Sequence, residues 1–233
     1  GVRLVGSEMC IRDSSSTGKS TVAKQLADYL DYLFVDTGAM YRAVTLFALR
    51  KGFLTEEQVD VQNLIASLSE INLKFVKNSE GKREIFLNNE NVEKEIRTLE
   101  VSEFVSPVSA ISEVRKKLVQ QQRAMGEGQG IVMDGRDIGT VVFPNADLKV
   151  FMTASPEIRA QRRYDELTRR GDSISYQEVL DNVTERDHID STREDSPLRQ
   201  ADDAIVIDNS ETNLEDQFHM LLQLAKDRIA GRI

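Results

Sequence analysis

The sequence predicts an α/β fold, a parallel sheet flanked by helices, on three observations. Short apolar runs alternate with amphipathic helical segments along most of the chain, the pattern of strands joined by helical crossovers. The run STGKST at 16–21 opens the first of those helices. Residues 71–98 break the rhythm with period-2 alternation around a glycine turn, which predicts a small antiparallel β insertion. At 233 residues the chain suits a single main domain, 1–233, carrying such an insertion.

Each element has its own signal. From Gly18, the residues Val22, Leu26 and Leu30 recur at i, i+4 and i+8 with Ala23 and Ala27 beside them, one apolar helix face. Tyr32 to Val35 is a short apolar strand ending at Asp36. A second helix runs from about Ala39, with Met40, Val44 and Phe47 as its buried stripe and Gly52 near its end. In the insertion INLKFV and REIFLNN flank the turn Asn78-Ser79-Glu80-Gly81, and the polar ENVEKEIR follows. Val114, Leu118 and Val119 mark the next helix, GIVMDG at 130–135 a buried strand, and LKVFMTA at 148–154 another. Ser155-Pro156-Glu157 supplies an N-cap, an N1 proline and a first-turn acid to an Arg-rich helix. Ser175 with Glu178 predicts a capping box opening the helix after it. AIVID at 204–208 and a helix carrying Leu214, Phe218, Leu221 and Leu222 complete the pattern.

Composition narrows the functional classes. Lys+Arg 30 against Asp+Glu 39 leaves a net charge of -9, which predicts no nucleic-acid partner and confines any basic cluster to a local site for a small anion. One cysteine, Cys10, excludes an internal disulfide and a Cys-based zinc site, and the two histidines, His188 and His219, suggest no metal pair. No run approaches the ~18 apolar residues of a membrane helix. GVRLVGSEMCIRD is interrupted by polar residues where a signal peptide needs an apolar core. A cytoplasmic, monomeric protein without a membrane partner is expected.

A phosphate-cradling P-loop reads G-x-x-x-x-G-K-[ST]. Counting back from Gly18-Lys19-Ser20 puts its opening glycine at position 13, where Asp13 stands. In the phosphate reading Ser15, Ser16, Thr17, Gly18, Lys19, Ser20 and Thr21 surround the phosphates of ATP at a helix N-terminus. Lys19 then reaches the terminal phosphates and the Ser20 hydroxyl ligates Mg²⁺ directly. The competing reading is a serine-rich turn capping an ordinary helix. Asp13 removes the freedom of a tight turn and adds like-charge repulsion. MCIR, just before it, reads as a poor central strand, since parallel strands are near-continuous apolar runs. Residues 1–14 accordingly read as not native to the fold. They resemble a translated sequencing-adaptor or cloning sequence, joined where the first strand and its glycine belong.

DTGAMYRA at 36–43, with STGKST, DGRDIGTVVFP at 134–144 and the RD...D..R pattern of 186–193, resembles the bacterial type of cytidylate kinase, within the nucleoside monophosphate kinase group of P-loop proteins. The resemblance covers the chain from about Ser15 onward, β insertion included. It implies a P-loop NTPase-like sheet with a helical lid over 155–195, and phosphoryl transfer from ATP to CMP or dCMP with Mg²⁺. It assigns Asp36, Thr37, Gly38 and Arg42 to the acceptor nucleotide, Arg42 on its phosphate. Ser106, Arg115 and Asp137 then read the base, Arg136 and Arg193 the phosphate, and Arg186 and Asp190 the ribose. Apart from the resemblance, Asp134 at the end of the GIVMD strand sits where open α/β sheets place ligand chemistry and suits organising Mg²⁺ through water; by the resemblance Arg159 and Arg163, which share a helix face with Arg162, are catalytic lid arginines.

Other readings stay open for these residues: a solvated Arg42, an N-cap at Asp36, and Ser106-Pro107 as N-cap and N1 of a helix. Asp134 also suits a cap at Gly135. Arg186, Asp190 and Arg193, at i, i+4 and i+7, suit an ion-paired face if the helix persists, as Asp165 with Arg169 and Glu166 with Arg170 suit i, i+4 pairs. Kinase activity on another acceptor such as UMP, or nucleotide binding without turnover caused by Asp13, are the alternatives for the whole chain.

Overall fold

A computed structural model describes residues 7–13, 19–55 and 58–233. In chain order the strands are β1 (Glu8–Asp13), β2 (Leu33–Asp36), β3 (Leu73–Lys77), β4 (Arg83–Leu87), β5 (Glu90–Asn91), β6 (Ile131–Gly135), β7 (Leu148–Thr153) and β8 (Ile205–Asp208). The helices are α1 (Lys19–Leu30), α2 (Thr37–Arg50), α3 (Val61–Ala66), α4 (Leu99–Ser109), α5 (Ser112–Gly126), α6 (Pro156–Arg170), α7 (Tyr176–Thr192) and α8 (Leu214–Ile229). Among the described residues no helix is long and apolar enough to cross a membrane. The chain divides into two compact units, one running to Val35 and resuming at Arg123, the other spanning Asp36–Gln122.

The first unit is built on a five-stranded sheet in the order β2-β6-β1-β7-β8, in which β1 runs parallel to β6 and β7, and β7 to β8. From β1 the chain crosses to the edge at β2, returns to β6 beside β1, and then passes to β7 and β8 on the other side. The carboxyl ends of the strands around such a reversal are where open α/β sheets bind ligands. Val22, Ala23, Leu26 and Ala27 of α1 and Leu221, Leu222 and Ala225 of α8 pack in one core with Met9, Ile11, Val132, Leu148, Val150 and Met152. Each large aliphatic side chain so buried contributes about 1.5–3 kcal/mol.

β1 overturns the expectation that MCIR makes a poor central strand and that the first strand is missing. Met9, Cys10 and Ile11 are each 1% exposed. Both neighbours pair with the strand only from Met9 to Arg12; Glu8 pairs with β6 alone and Asp13 with β7 alone. Three apolar residues therefore fill the sheet interior, and the acidic ones fall at the strand ends. Burial lifts the Glu8 carboxyl, helped by Asp147, and raises the Cys10 thiol far above its ordinary range.

In the second unit Asp36 caps α2, its carboxylate accepting from the Ala39 amide at 2.9 Å, so the helix starts at Thr37 rather than near Ala39. β3, β4 and β5 form a separate antiparallel sheet, with Gly81 at φ +80° in the β3–β4 turn. Arg50, at the end of α2, reaches Glu90 at 2.7 and 2.8 Å and Glu95 at 2.6 and 3.2 Å. α4 corrects the reading of Ser106-Pro107 as a helix start. Thr98 is the cap, its hydroxyl accepting from Val101 at 3.4 Å, and Pro107 sits inside the helix near its end. There the proline forfeits a hydrogen bond without stopping the helix before Ser109.

Returning to the first unit, Ser155 caps α6 with Pro156 at its start, and α6 ends at Gly171 with φ +89°. The Ser175–Glu178 capping box opens α7, its carboxylate accepting from the Ser175 amide at 2.7 Å. α7 stops at Thr192, so Arg193 is its cap rather than a helical residue.

Candidate active site

α1 begins at Lys19, with Ser20 and Thr21 in its first turn. Ser15, Ser16, Thr17 and Gly18 lie outside the described residues, as do the side chains of Asp13 and Lys19. Asp134, 2% exposed, is the penultimate residue of β6 and stands opposite Ile11 of β1. A serine hydroxyl and a carboxylate are hard oxygen donors, the type Mg²⁺ takes one or two of from protein alongside substrate phosphates.

Just beyond β6, the Arg136 Nε donates to Oδ2 of Asp190 on α7. Oδ1 of the same carboxylate lies 3.5 Å from Nη1 of Arg193. The Arg193 Nε donates to the Ser196 carbonyl at 2.9 Å, which is turned toward it by a left-handed Ser196 with φ +51°. Asp190 and Arg193 side chains are only 3% and 4% exposed. Two guanidiniums thus meet one buried carboxylate, and guanidinium groups held in place this way suit a phosphate. Arg186 lies half-buried one turn before Asp190. Asp137 is buried at the head of a π-turn, Ile138–Val142.

On α6, Arg159 is 3% exposed; its Nε donates to the Ala154 carbonyl at 3.0 Å and its Nη2 to Asp187 at 2.5 Å. Arg162 donates to the Asn209 carbonyl at 2.7 Å, holding the residue after β8; burial lowers its pKa. Arg163 pairs with Glu166 at 3.0 Å. The expected helix pairs are rearranged. Glu166 takes Arg163, Arg170 lies 3.5 Å from Asp172, and the Arg169 Nε donates to the backbone carbonyl of Asp165.

In the second unit Asp36 both caps α2 and pairs with Arg42, Oδ2 to Nη2 at 3.1 Å. Gly38 makes this possible: a Cβ there would stand 3.1 Å from both Arg42 Nη1 and Asp36 Oδ1. Arg97 approaches the same carboxylate at 3.7 Å; nothing in its sequence context distinguished it. Thr37 and Ser106 are buried, at 2% and 3% exposure. Arg115, fully buried on α5, donates to the Ser109 carbonyl at the end of α4 at 3.1 Å, and its guanidinium lies 5.7 Å from the Tyr41 ring centre. A helix C-terminus and an aromatic face both stabilise a buried cation.

A sheet whose order reverses at β1, a first helix that begins Lys19-Ser20-Thr21, and arginines gathered on Asp190 beyond β6 are the arrangement of a P-loop phosphotransferase. Comparison with known proteins is specific. The family model for cytidylate kinase matches residues 10–227. The cytidylate kinase of Flavobacterium johnsoniae is 62% identical over 214 residues, covering 91% of this chain and 93% of that one. That of Parabacteroides distasonis is 56% identical over 216 residues, covering 92% and 94%. The chain belongs to the cytidylate kinase family. Among solved structures, an uncharacterized protein from Eubacterium ventriosum shares the fold at a TM-score of 0.50 and 10% identity, over 95% of this chain and 99% of that one.

Proposed function

We propose that this chain transfers the γ-phosphoryl group of ATP to CMP or dCMP, giving ADP and CDP or dCDP, in the cytoplasm and as a monomer. The observation that supports the site reading is the Arg136–Asp190–Arg193 array beyond the carboxyl end of β6, two guanidiniums held on one buried carboxylate. The nucleophile is a phosphate oxygen of the acceptor, already ionised near neutral pH, so the reaction needs alignment and charge neutralisation rather than a general base.

Arg42, Arg136 and Arg193 hold the acceptor phosphate, and Arg186 and Asp190 contact the ribose. Asp137 accepts from the cytosine amino group while Arg115 and Ser106 donate to ring acceptors; uracil would turn a carbonyl toward the carboxylate. Residues 15–21 cradle the donor phosphates, with Lys19 offsetting their charge. Arg159 and Arg163 stabilise charge on the phosphoryl group in transit, and closure of the 155–195 helices excludes water. Mg²⁺, held directly by Ser20 and through water by Asp134, would neutralise and orient the donor phosphates.

The test is coupled ADP release with ATP, Mg²⁺ and a panel of CMP, dCMP, UMP and GMP. ADP release that depends on CMP or dCMP is expected, and its near loss in Arg42→Ala. A higher kcat/KM with UMP, or ADP release independent of acceptor, would overturn the reading.

A further inference from the structure

We infer that Lys149 and Arg123 are positioning residues for Asp137 and thereby set base discrimination; this rests on Asp137 being a base reader. Lys149 is a lysine at 6% exposure on β7, within the apolar sheet, where an ammonium persists only if held by several partners. Its Nζ donates to the Pro144 carbonyl at 2.5 Å and to both oxygens of Asp203 at 2.8 and 2.9 Å. Its aliphatic stem lies against Gly139, where a Cβ would come 3.1 Å from Lys149 Cδ and 3.3 Å from Cγ. A side chain at position 139 would therefore crowd this stem.

Arg123 of α5 holds the same turn from another side, Nη2 donating to the Val141 carbonyl at 2.6 Å and Nε to the Val142 carbonyl at 3.0 Å. Carbonyls at the end of a helical turn lack partners within it. Here Val141, Val142 and Pro144 have theirs from two cations. At the other end, the amides of Thr140, Val141 and Val142 converge on the Asp137 backbone carbonyl at 3.3, 2.8 and 3.4 Å. The turn is closed through that carbonyl, which leaves the Asp137 carboxylate out of the capping. Asp137 is thus held by a π-turn, a rare geometry, whose far end is fixed by Lys149 and Arg123. Loosening that end moves the carboxylate without touching it.

The experiment measures kcat and KM for CMP and for UMP, and KM for ATP, in Asp137→Ala, Lys149→Met, Arg123→Met and the Lys149→Met/Asp137→Ala double variant. Methionine keeps the stem over Gly139 and deletes the charge. Asp137→Ala should lower the CMP:UMP ratio of kcat/KM by roughly a hundredfold. Lys149→Met and Arg123→Met should each lower it about tenfold, through KM for CMP, with KM for ATP unchanged. In the Asp137→Ala background Lys149→Met should leave the ratio where it is. If Asp137→Ala collapses the ratio while the folded methionine variants keep the wild-type ratio and lose only melting temperature, the two cations are structural and the inference fails. If Asp137→Ala itself keeps the ratio, the base-reading assignment fails first. Should Lys149→Met not fold, Arg123→Met alone decides.

Discussion

Deleting the Asp190 carboxylate should cost both stability and acceptor binding, by amounts the geometry bounds. At 3.5 Å, with an effective dielectric constant of about 20, the Arg193–Asp190 attraction is about 5 kcal/mol. In Asp190→Ala the Arg193 guanidinium, 4% exposed, keeps its desolvation and loses that partner. Breaking one half of such a buried pair costs about 3–5 kcal/mol. Arg136, at 17% exposure, recovers some hydration and adds less. At about 2–4 °C per kcal/mol for a chain of this size, the melting temperature should fall by about 10 °C. Asp190→Asn keeps the shape and one acceptor and should lose roughly half as much. Urea denaturation followed by circular dichroism, with calorimetry, reads the stability; steady-state kinetics should show kcat/KM for CMP down about a hundredfold, because both arginines lose their orientation. An Asp190→Ala protein within about 1 kcal/mol of wild type would refute the reasoning, since it would mean that water already compensates these charges.

Three further outcomes are expected. Gly38→Ala should raise KM for CMP about fivefold, since its Cβ crowds Arg42 and Asp36 at 3.1 Å; stability should hold or rise, because alanine is the better helix former, and a wild-type KM would show that Arg42 shifts freely. The bond to Lys149 holds Asp203 below its ordinary 3.8, so its stabilisation is present above about pH 4 and is lost as pH falls through the depressed value. Melting temperatures of wild type and Asp203→Asn should accordingly diverge above that pH and converge below it, and parallel curves would contradict the pairing. Asp13→Gly should tighten ATP binding about tenfold in isothermal titration; an unchanged Kd would show that Asp13 does not oppose the phosphates.

Local signals were legible in the sequence, and partnerships between distant segments were not. The Ser155-Pro156 start, the Ser175–Glu178 box and the 71–98 hairpin each consist of residues a few positions apart, and each is present. Arg42, Asp137 and Asp190 were identifiable through motif resemblance, and all three are buried or half-buried. Asp187 and Arg97 escaped notice because their partners, Arg159 and Asp36, are distant in the chain. Nothing in the 148–154 run singled out Lys149, since its partners lie in Pro144 and in Asp203 beyond α7. The misjudged β1 came from counting polar residues without knowing which ones both neighbours would cover. Proline at 107 read as a start because a proline near the end of a helix is the less common placement.

β1 also sets a timetable for synthesis. Its register partners, Ile131 for Glu8 and Leu148 for Met9, belong to the second half of the chain, whereas the pairings of β3, β4 and β5 are all made within Leu73–Asn91. On the ribosome the small antiparallel sheet is complete while Met9, Cys10 and Ile11 are still unpaired. At ~5–20 residues per second that wait is on the order of ten seconds. The strand central to the finished sheet is thus the one left longest as an open edge, and a nascent chain stalled before β6 would offer it to any other extended segment.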